Sequence, residues 1–201
     1  MAGLVVVGGG AAGLMAALFA ARAGAPVTLL EGSRACGLKI LISGGGRCNL
    51  LPMASEPDDF FTTGSRNVLK RLFRTWRLEE VTSFFADDLG IALRFEEESG
   101  KVFPASQSAQ AVRDRLVRAV REAGAEIRTE HRVEAIEAGE DGFRLEIGQA
   151  GETLRLHADR VVLAAGGQSL PKTGSDGQGY ELVRSLGHTV TERVFPALVP
   201  L

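Results

Sequence analysis

The residues whose types and spacing most clearly suggest chemistry are glycines near the N-terminus. Gly8, Gly10 and Gly13 fit the pattern G-x-G-x-x-G. In that pattern the first glycine makes a tight turn, the second lets a pyrophosphate approach the backbone, and the third lets helix and strand pack closely. The free N–H groups at the start of the next helix, at Ala11 and Ala12, would then bind the diphosphate with help from the helix dipole.

An acidic residue supports this interpretation. Glu31 follows Gly13 at close to the expected spacing of about 20 residues. Its carboxylate would accept hydrogen bonds from ribose hydroxyls and repel a 2′-phosphate, which disfavours NADP. The alternative is an ordinary glycine turn with a solvated Glu31. The order strand, turn, helix, strand and acid favours the dinucleotide interpretation.

The elements that must position these residues form a βαβ unit. Residues 4–7 are a short apolar run typical of a central parallel strand. An Ala- and Leu-rich helix follows over 11–23 and ends at Gly24, and residues 27–30 form a second buried strand.

The rest of the chain departs from a simple alternation of strands and helices. Residues 32–64 are predicted to be mostly loop, and 65–89 to be helical in two pieces. A hairpin is predicted around 96–100, which we interpret as a solvated tip, and an amphipathic helix over 108–122.

The hydrophobic period then changes from 3.6 to 2. Short alternating strands at 133–138, 143–147 and 153–156 predict an antiparallel β-meander, and 161–164 is again a continuous apolar strand. A helix is predicted at about 179–186. The predicted fold class is therefore α/β, a parallel sheet with an antiparallel β-meander crossover.

The order of the predicted elements distinguishes between FAD and NAD, the two cofactors that use the first glycine motif. A plain NAD domain would continue with parallel strands and helices. The order here resembles the Rossmann-like FAD-binding domain of the glutathione-reductase type, in which a meander precedes a strand with an A-T-G motif. Ala164, Ala165 and Gly166 occupy that place, so a threonine hydroxyl is absent.

A second glycine motif makes the resemblance specific. The run from Lys39 to Asn49 reads K-I-L-I-S-G-G-G-R-C-N. It is similar to a motif of the aminoacetone-oxidase and dehydro-bile-acid-reductase-like family of FAD flavoproteins. Further matches lie at 100–106, 164–180, 186–188 and 196–201. The family continues R-C-N with a polar T-N pair, whereas Leu50 and Leu51 stand here.

The resemblance implies an FAD-dependent oxidoreductase. It would transfer a hydride to or from a small organic substrate, with NAD(P)H as a candidate electron donor. No catalytic side chain is assigned, because the flavin itself performs the hydride chemistry. The predicted cofactor-binding residues are Gly8, Gly10, Ala11, Ala12, Gly13, Glu31, Lys39, Gly44, Gly45, Gly46, Arg47, Cys48, Asn49, Val133, Ala164, Ala165 and Gly166.

The predicted domain organisation is an incomplete N-terminal FAD-binding domain over residues 1–195. Residues 196–201 would begin a second, substrate-side domain, because the apolar run there matches the point at which relatives enter it. Two alternatives stay open at this point. The first alternative is a cofactor-binding fragment without turnover, and the second is a plain NAD-dependent dehydrogenase domain.

Composition adds expectations about partners and location. The formal net charge is -2, and we find no basic stripe, so nucleic acid is not expected as a partner. The apolar run 2–21 lacks a preceding positive region and contains a glycine triplet, which argues against a signal peptide or membrane span.

The cysteines and histidines lead to further expectations. Cys36 and Cys48 are too few for a secreted disulfide framework, which favours the cytoplasm. A redox pair is the less favoured alternative for them. The three histidines are scattered without partners at ligand spacing, so no metal is predicted.

Overall fold

A computed structural model of the chain describes residues 2–62 and 64–194. The strands are β1 Ala2–Val7, β2 Val27–Leu30, β3 Leu51–Pro52, β4 Leu93–Glu96, β5 Lys101–Pro104, β6 Glu126–Arg128, β7 Arg132–Gly139, β8 Gly142–Gln149 and β9 Glu152–Leu163. The helices are α1 Ala11–Arg22, α2 Leu38–Ile42, α3 Arg66–Thr75, α4 Leu78–Ser83, α5 Ala109–Glu122 and α6 Gln178–Ser185. The chain divides into two compact units, unit 1 (Met1–Ile40 and Leu116–Leu201) and unit 2 (Leu41–Arg115).

Unit 1 is built on a mixed sheet of strand order β6-β2-β1-β9-β8-β7. The first four strands run parallel, with β1 between β2 and β9. β9, β8 and β7 are joined in antiparallel fashion as the meander. Because β1, β2 and β9 run parallel, their carboxyl ends lie at the same edge of the sheet, and the loops that follow the three strands are brought together there.

The core of unit 1 follows from the alternation of side chains along these strands. Val5, Val7 and Leu30 pack with the apolar side chains of the meander and with Leu182 of α6. Leu14 and Leu18 of α1 are fully buried, and α1 packs on β1, β2 and β9. The βαβ unit is therefore stabilised both by the packing of α1 on the sheet and by the pairing of β1 with β2 and β9.

Unit 2 contains a small antiparallel sheet of order β3-β5-β4 and helices α3 and α4. Its predicted hairpin is confirmed, since Leu93 pairs with Pro104 and Glu96 with Lys101. Val102 and Phe103 are almost completely buried. The region 65–89 is helical in pieces as predicted, with a π-helical turn at Phe84–Asp88.

Three details of the predicted elements were wrong. The expected strands at 153–156 and 161–164 are one continuous strand, β9, which pairs with β8 along its first half and with β1 along its second. Residues 32–64 are mostly loop as predicted, but the short elements α2 and β3 within them were missed. The short strand β6 beside β2 was missed, because Ile127 is its only apolar residue.

Residues 196–201, which were predicted to begin a second domain, lie outside the described residues. The boundary at 195 therefore stays a prediction. None of the helices in residues 2–62 and 64–194 is both long and apolar enough to cross a membrane.

Candidate functional site

Two glycines at the turn after β1, Gly8 and Gly13, leave no space for a side chain. Gly8 lies at φ +103°, and a Cβ there would stand 2.5 Å from the carbonyl oxygen of Ala164. A Cβ on Gly13 would stand 1.8 Å from the carbonyl oxygen of Gly8. Any side chain at either position would force β1, α1 and the end of β9 apart.

Gly10 differs from these two glycines. It is the N-cap of α1 with φ -73°, and nothing lies within 4 Å of the position of a Cβ. No side chain caps the helix, its first turn contains no acidic residue, and Ala11 and Ala12 are exposed. The N–H groups of the first helical turn therefore have no side-chain cap at a partly exposed helix end, and a diphosphate there could accept hydrogen bonds from them.

Glu31 is tied to this turn by its own carboxylate. One oxygen accepts a hydrogen bond from the Gly9 N–H at 2.7 Å, and the other accepts one from the Ser33 N–H at 2.7 Å. Each carboxylate oxygen can accept a second hydrogen bond, so both remain able to bind ribose hydroxyls. Glu31 thus has a structural role that its spacing alone did not reveal.

Gly37 and Cys36, which were not predicted to contact this turn, also support it. The Gly37 N–H donates to the Gly9 carbonyl at 2.8 Å. A Cβ on Gly9 would stand 2.6 Å from the Sγ of Cys36, which is buried. The motif allows any residue at position 9. The glycine found there is the one sequence signal that indicates close packing against Cys36.

The A-A-G run lies directly beside the glycine turn. The Ala164 N–H donates to the Val7 carbonyl at 2.8 Å, and Gly166 adopts φ +79°. The side chain of Ala165 packs closely against Gly179 of α6, where a Cβ would stand 3.2 Å away. Val133 is buried in the meander, so only its backbone is available to a ligand.

Lys39 connects to the loop that follows β9. Its Nζ donates to the Ser169 Oγ at 2.7 Å and to the Ser175 Oγ. Ser175 is one of the few buried polar residues, and the Ser169 N–H donates to its carbonyl. Lys39 therefore fixes this loop through partners more than a hundred residues away, which no local spacing announces.

A second tie holds the same loop to the meander. Arg132 of β7 donates to Asp176 at 2.6 Å, and the N–H of Gln178, the first residue of α6, donates to the other Asp176 oxygen at 3.2 Å. Desolvation opposes ionisation of Asp176, but these hydrogen bonds outweigh it and hold the pKa of the carboxyl below its ordinary value.

An open, polar cavity of about 530 Å³ adjoins the end of β2 in unit 1. Its walls include Gly32 and Arg34, which follow Glu31, and Glu130 and Arg132, which precede Val133. Its size is within the range of about 300–1,000 Å³ found for small-molecule sites. It therefore has room for a nucleoside next to the carboxylate predicted to bind ribose.

The second glycine motif forms a loop of left-handed residues in unit 2. Gly44, Gly45 and Gly46 have φ of +57°, +66° and +87°, and Cys48 has φ +67°. Gly45, Gly46 and Asn49 are exposed, and nothing lies within 4 Å of a Cβ on Gly45. The loop thus presents a side-chain-free backbone to its surroundings, as expected of a surface that receives a flat ligand.

Arg47 is turned toward its own unit. Its Nη1 donates to Glu96 at 3.1 Å and to Gln107 at 3.3 Å, and its guanidinium lies 4.0 Å from the ring centroid of Phe103. Hydrogen bonds from Ser99 and Arg47 lower the pKa of Glu96. Glu96 was interpreted as part of a solvated tip and instead anchors the glycine loop. Glu97 and Glu98 are exposed as expected.

The two cysteines are free thiols, each buried. Burial raises the pKa of the Cys48 thiol, and a hydrogen bond with Ser43 only partly offsets this. Cys48 is therefore protonated at neutral pH and is a poor nucleophile.

No cluster of three or more His, Cys, Asp or Glu suited to a metal exists in the part of the chain that the structure describes. The prediction of no metal stays a prediction.

These features define a Rossmann-type α/β domain with a dinucleotide-binding turn. The chain belongs to the HI0933-like family, since the family model described as "HI0933-like protein Rossmann domain" matches residues 2–194. The predicted fold class and the family resemblance are confirmed in these respects. The aminoacetone-oxidase part of the resemblance stays a prediction.

Curated relatives include enzymes with different substrates. The chain is 38% identical to 3-dehydro-bile acid delta(4,6)-reductase of Clostridium scindens, covering 98% of the chain and 46% of the relative. It is 30% identical to ribosomal RNA dihydrouridine synthase of Escherichia coli, covering 92% and 44%. The chain thus spans about half the length of these relatives. The exclusion of nucleic acid as a partner has no support, because one of them is named for an RNA.

Solved structures show the same fold. The 3-ketosteroid-delta4-(5alpha)-dehydrogenase of Rhodococcus jostii superposes with a TM-score of 0.68 at 17% identity, covering 92% of this chain and 53% of that one. The open form of a flavocytochrome c3 fumarate reductase has a TM-score of 0.68 at 21% identity, covering 92% and 40%. At this level of identity the likeness concerns the fold.

Proposed function

We propose that the chain binds FAD and forms the cofactor-binding part of a flavin-dependent oxidoreductase. The observation that carries the proposal is the contrast among the glycines of the turn. Gly8 and Gly13 leave no space for a side chain, whereas Gly10 opens onto free space at an uncapped helix N-terminus. A turn that only had to connect β1 to α1 would not need that opening.

The residues present fit the ADP half of FAD. The N–H groups of the first turn of α1 bind the pyrophosphate, and Glu31 accepts hydrogen bonds from the ribose hydroxyls. The cavity lined by Gly32, Arg34 and Arg132 receives the adenosine, close to the Val133 backbone. Ala164, Ala165 and Gly166 lie directly beside the glycine turn and extend this binding surface.

The residues predicted for the flavin half have two tasks. The flavin is contacted by the backbone of Gly44, Gly45 and Gly46 and by the side-chain amide of Asn49. Arg47 and Cys48 stabilise the conformation of this loop through contacts within unit 2. Lys39 positions the loop after β9. FAD, when bound, supplies the hydride chemistry, with NAD(P)H as the proposed electron donor.

We further infer that the substrate contains a C=C bond conjugated with a carbonyl group. The name of the bile-acid relative describes a ketone with nearby double bonds, and dihydrouridine results from adding hydrogen across the C=C bond of uridine, which is conjugated with a carbonyl. Reduction adds one hydride and one proton across such a bond. The substrate is thus either a small organic enone or a uracil base.

The test begins with the cofactor. Purified full-length protein is heat-denatured and the released nucleotide is identified by chromatography and mass spectrometry. FAD is expected, whereas release of NAD, or of no nucleotide across several preparations, contradicts the proposal and returns the NAD-dehydrogenase or fragment alternatives.

A second step addresses the reaction. Under anaerobic conditions NADH or NADPH should bleach the flavin absorbance, and a cyclic enone should restore it, whereas the matching saturated ketone should not. Equal reoxidation by both ketones, or by neither ketone nor a uridine-containing RNA, would contradict the inferred substrate class while leaving FAD binding intact.

A further inference from the structure

Three side chains of unit 1 form a cluster with more hydrogen-bond donors than acceptors. The Lys39 Nζ donates to the Ser169 Oγ at 2.7 Å and to the Ser175 Oγ. An ammonium group has three donors and no acceptor, so each serine accepts on a lone pair and keeps its own O–H hydrogen. Neither hydroxyl donates to another group in the part of the chain that the structure describes. We name these three side chains the donor cluster.

The burial of Ser175 makes its unused hydrogen significant. This side chain belongs to the loop between β9 and α6 and is only 4% exposed. A buried hydroxyl that donates to nothing is unfavourable, because it has given up its hydrogen bonds with water. Its Oγ lies 3.0 Å from the position of a Cβ on Gly166, which is exposed and has no side chain. A ligand that covers Gly166 can therefore reach this hydroxyl.

The positive charge of the donor cluster is not balanced by an acid. Asp176, which follows Ser175 in the chain, pairs with Arg132 at 2.6 Å. Lys39 is exposed, and over the described ranges 2–62 and 64–194 it forms no ion pair. Two cations thus hold the same loop in different ways. Arg132 is neutralised by a carboxylate, whereas Lys39 contacts uncharged hydroxyls and keeps its charge available to an anion.

The segments that carry the donor cluster both contact the glycine turn. Gly37, in the segment that leads into α2, donates its N–H to the Gly9 carbonyl at 2.8 Å. The carbonyl oxygen of Ala164, at the start of the loop after β9, lies 2.5 Å from the position of a Cβ on Gly8. Because both segments leave from this turn, the cluster lies on the side of the sheet where α1 begins.

We propose that Lys39, Ser169 and Ser175 bind the diphosphate of FAD, together with the N–H groups of α1. A helix N-terminus supplies the equivalent of only about half a positive charge, and a diphosphate diester is doubly anionic. Glu31 adds a negative charge at the same turn. An ammonium ion offsets this imbalance, and hydroxyls donate short hydrogen bonds to phosphate oxygens. The inference rests on the proposed function and deepens it by assigning the diphosphate a second set of donors.

The flavin ring is the other group of FAD that could attract a cation, since it gains negative charge when it is reduced. The diphosphate fits the donor cluster better, because both segments that carry the cluster contact the turn proposed to bind phosphate. The two possibilities differ in a measurable way. A lysine that binds the diphosphate is important for ADP as well as FAD, whereas one that binds the flavin ring is important for FAD alone.

The experiment uses full-length protein from which the flavin has been removed, and titrates it calorimetrically with FAD, ADP and adenosine. The test variant is Lys39→Met, which keeps the apolar stem and a good helix former but removes the charge and the donors. Lys172→Met is the matched control, because Lys172 is an exposed lysine of the same loop and its loss changes the net charge equally. Lys39→Arg restores the charge.

We expect Lys39→Met to weaken the binding of FAD and ADP roughly tenfold or more and to leave adenosine binding unchanged. The loss should become smaller as salt concentration rises, because salt screens exposed charges. Lys39→Arg should recover most of the affinity, and Lys172→Met should bind like the wild type. Inorganic pyrophosphate should raise the apo unfolding temperature of the wild type and of Lys172→Met but not of Lys39→Met.

Ser175→Ala tests the buried hydroxyl separately. It should weaken ADP binding several-fold without lowering the apo unfolding temperature, because the hydroxyl that it removes has no acceptor in the folded apo protein. A large fall in that temperature would show that Ser175 serves the fold alone, which contradicts its role as a donor to the diphosphate.

Several outcomes would overturn the proposal. These are unchanged ADP affinity in Lys39→Met, an equal loss in Lys172→Met, and a loss for adenosine as large as that for ADP. Weaker binding of FAD with unchanged binding of ADP would assign the donor cluster to the flavin ring instead. Wild-type protein that binds FAD while Lys39→Met behaves identically refutes this inference alone. Failure of the wild type to bind FAD refutes the proposed function as well.

Discussion

At the residue scale the glycine turn separates folding from binding. Gly13→Ala places a Cβ where the structure has 1.8 Å to the Gly8 carbonyl oxygen, so we expect loss of folded protein. The Cβ of Gly10→Val meets no atom within 4 Å and needs no left-handed backbone, so the apo protein should keep its unfolding temperature within a few degrees. Its side chain would nevertheless occupy the space proposed for the pyrophosphate, and FAD should no longer bind.

Thermal unfolding and FAD titration of the two variants, side by side, measure this contrast. A Gly10→Val protein that retained wild-type flavin occupancy would show that the phosphate lies elsewhere. The sequence pattern already assigns a different role to each glycine, and the structure adds which of these positions has space for a side chain.

Glu31 has two partners in the apo protein, and this changes what its substitution should do. Glu31→Gln leaves one acceptor oxygen and turns an N–H donor toward the N–H of either Gly9 or Ser33. A hydrogen bond to a charged group contributes about 1.5–3 kcal/mol, so FAD affinity should fall roughly tenfold or more.

The apo unfolding temperature of Glu31→Gln should fall as well. Differential scanning fluorimetry with and without FAD separates the two effects, and Glu98→Gln at the exposed hairpin tip is the control. Loss of FAD affinity with unchanged apo stability would mean that the Gly9 and Ser33 hydrogen bonds contribute nothing to the turn.

At the element scale, the loop of left-handed glycines depends on Arg47. Arg47→Lys keeps the charge but cannot stack as a plane on Phe103 while donating to both Glu96 and Gln107. We expect faster amide exchange at residues 44–49 and a several-fold weaker affinity for FAD. The control is Arg94→Lys, at an exposed position of the β4–β5 hairpin, which should change neither amide exchange nor FAD affinity. Equal effects in both variants would argue against a role for the contact of Arg47 with Phe103, Glu96 and Gln107.

The loop after β9 should respond to acid through Asp176. Because the pKa of this carboxyl lies below its ordinary value of 3.8 in the folded protein, its contribution to stability is present above that pH and is lost as the pH falls through the lowered pKa. Asp176→Asn should therefore be less stable than wild type at neutral pH, with the difference vanishing in strong acid. Urea unfolding at a series of pH values tests this, and a difference that persisted at low pH would refute it.

The elements show how far the sequence alone could go. Strong local patterns, such as the βαβ unit and the alternating meander, were predictable because each follows from nearby residues. β9 was divided in two because His157, Asp159 and Arg160 interrupt its apolar pattern, although pairing with β8 and β1 keeps it continuous. Tertiary pairing overrides local propensity in such a strand.

The site was predictable in the same uneven way. Candidate roles for Gly8, Gly10 and Gly13 could be predicted from spacing because the motif is continuous in sequence, whereas the contact of Gly8 with Ala164 could not. The partners of Lys39, Arg47 and Asp176 could not, because each lies far along the chain and only folding brings it close. The half-buried Glu96 and the exposed Glu97 and Glu98 are likewise indistinguishable in sequence without the Arg47 contact.

At the scale of the whole molecule, the predicted cofactor residues are distributed over both units. Gly8–Gly13, Glu31 and Ala164–Gly166 belong to unit 1, and Gly44–Asn49 belong to unit 2. A ligand that binds only the folded protein stabilises it by about 2.7 kcal/mol at a hundredfold excess over its Kd. FAD should therefore raise the unfolding temperature of apo protein and slow amide exchange in both sets of residues.

Hydrogen exchange followed by mass spectrometry, with and without FAD, resolves these segments as separate peptides. Protection of the glycine turn and of Gly44–Asn49 at the same FAD concentration is expected if one molecule contacts both. ADP is the informative control, because it contains the pyrophosphate and ribose but no flavin: it should protect the turn and leave Gly44–Asn49 exchanging as in the apo protein. If FAD protected only the turn, the second glycine motif would not be a flavin-binding loop, whereas protection of both segments by ADP would mean that the loop responds to the phosphates rather than to the flavin ring.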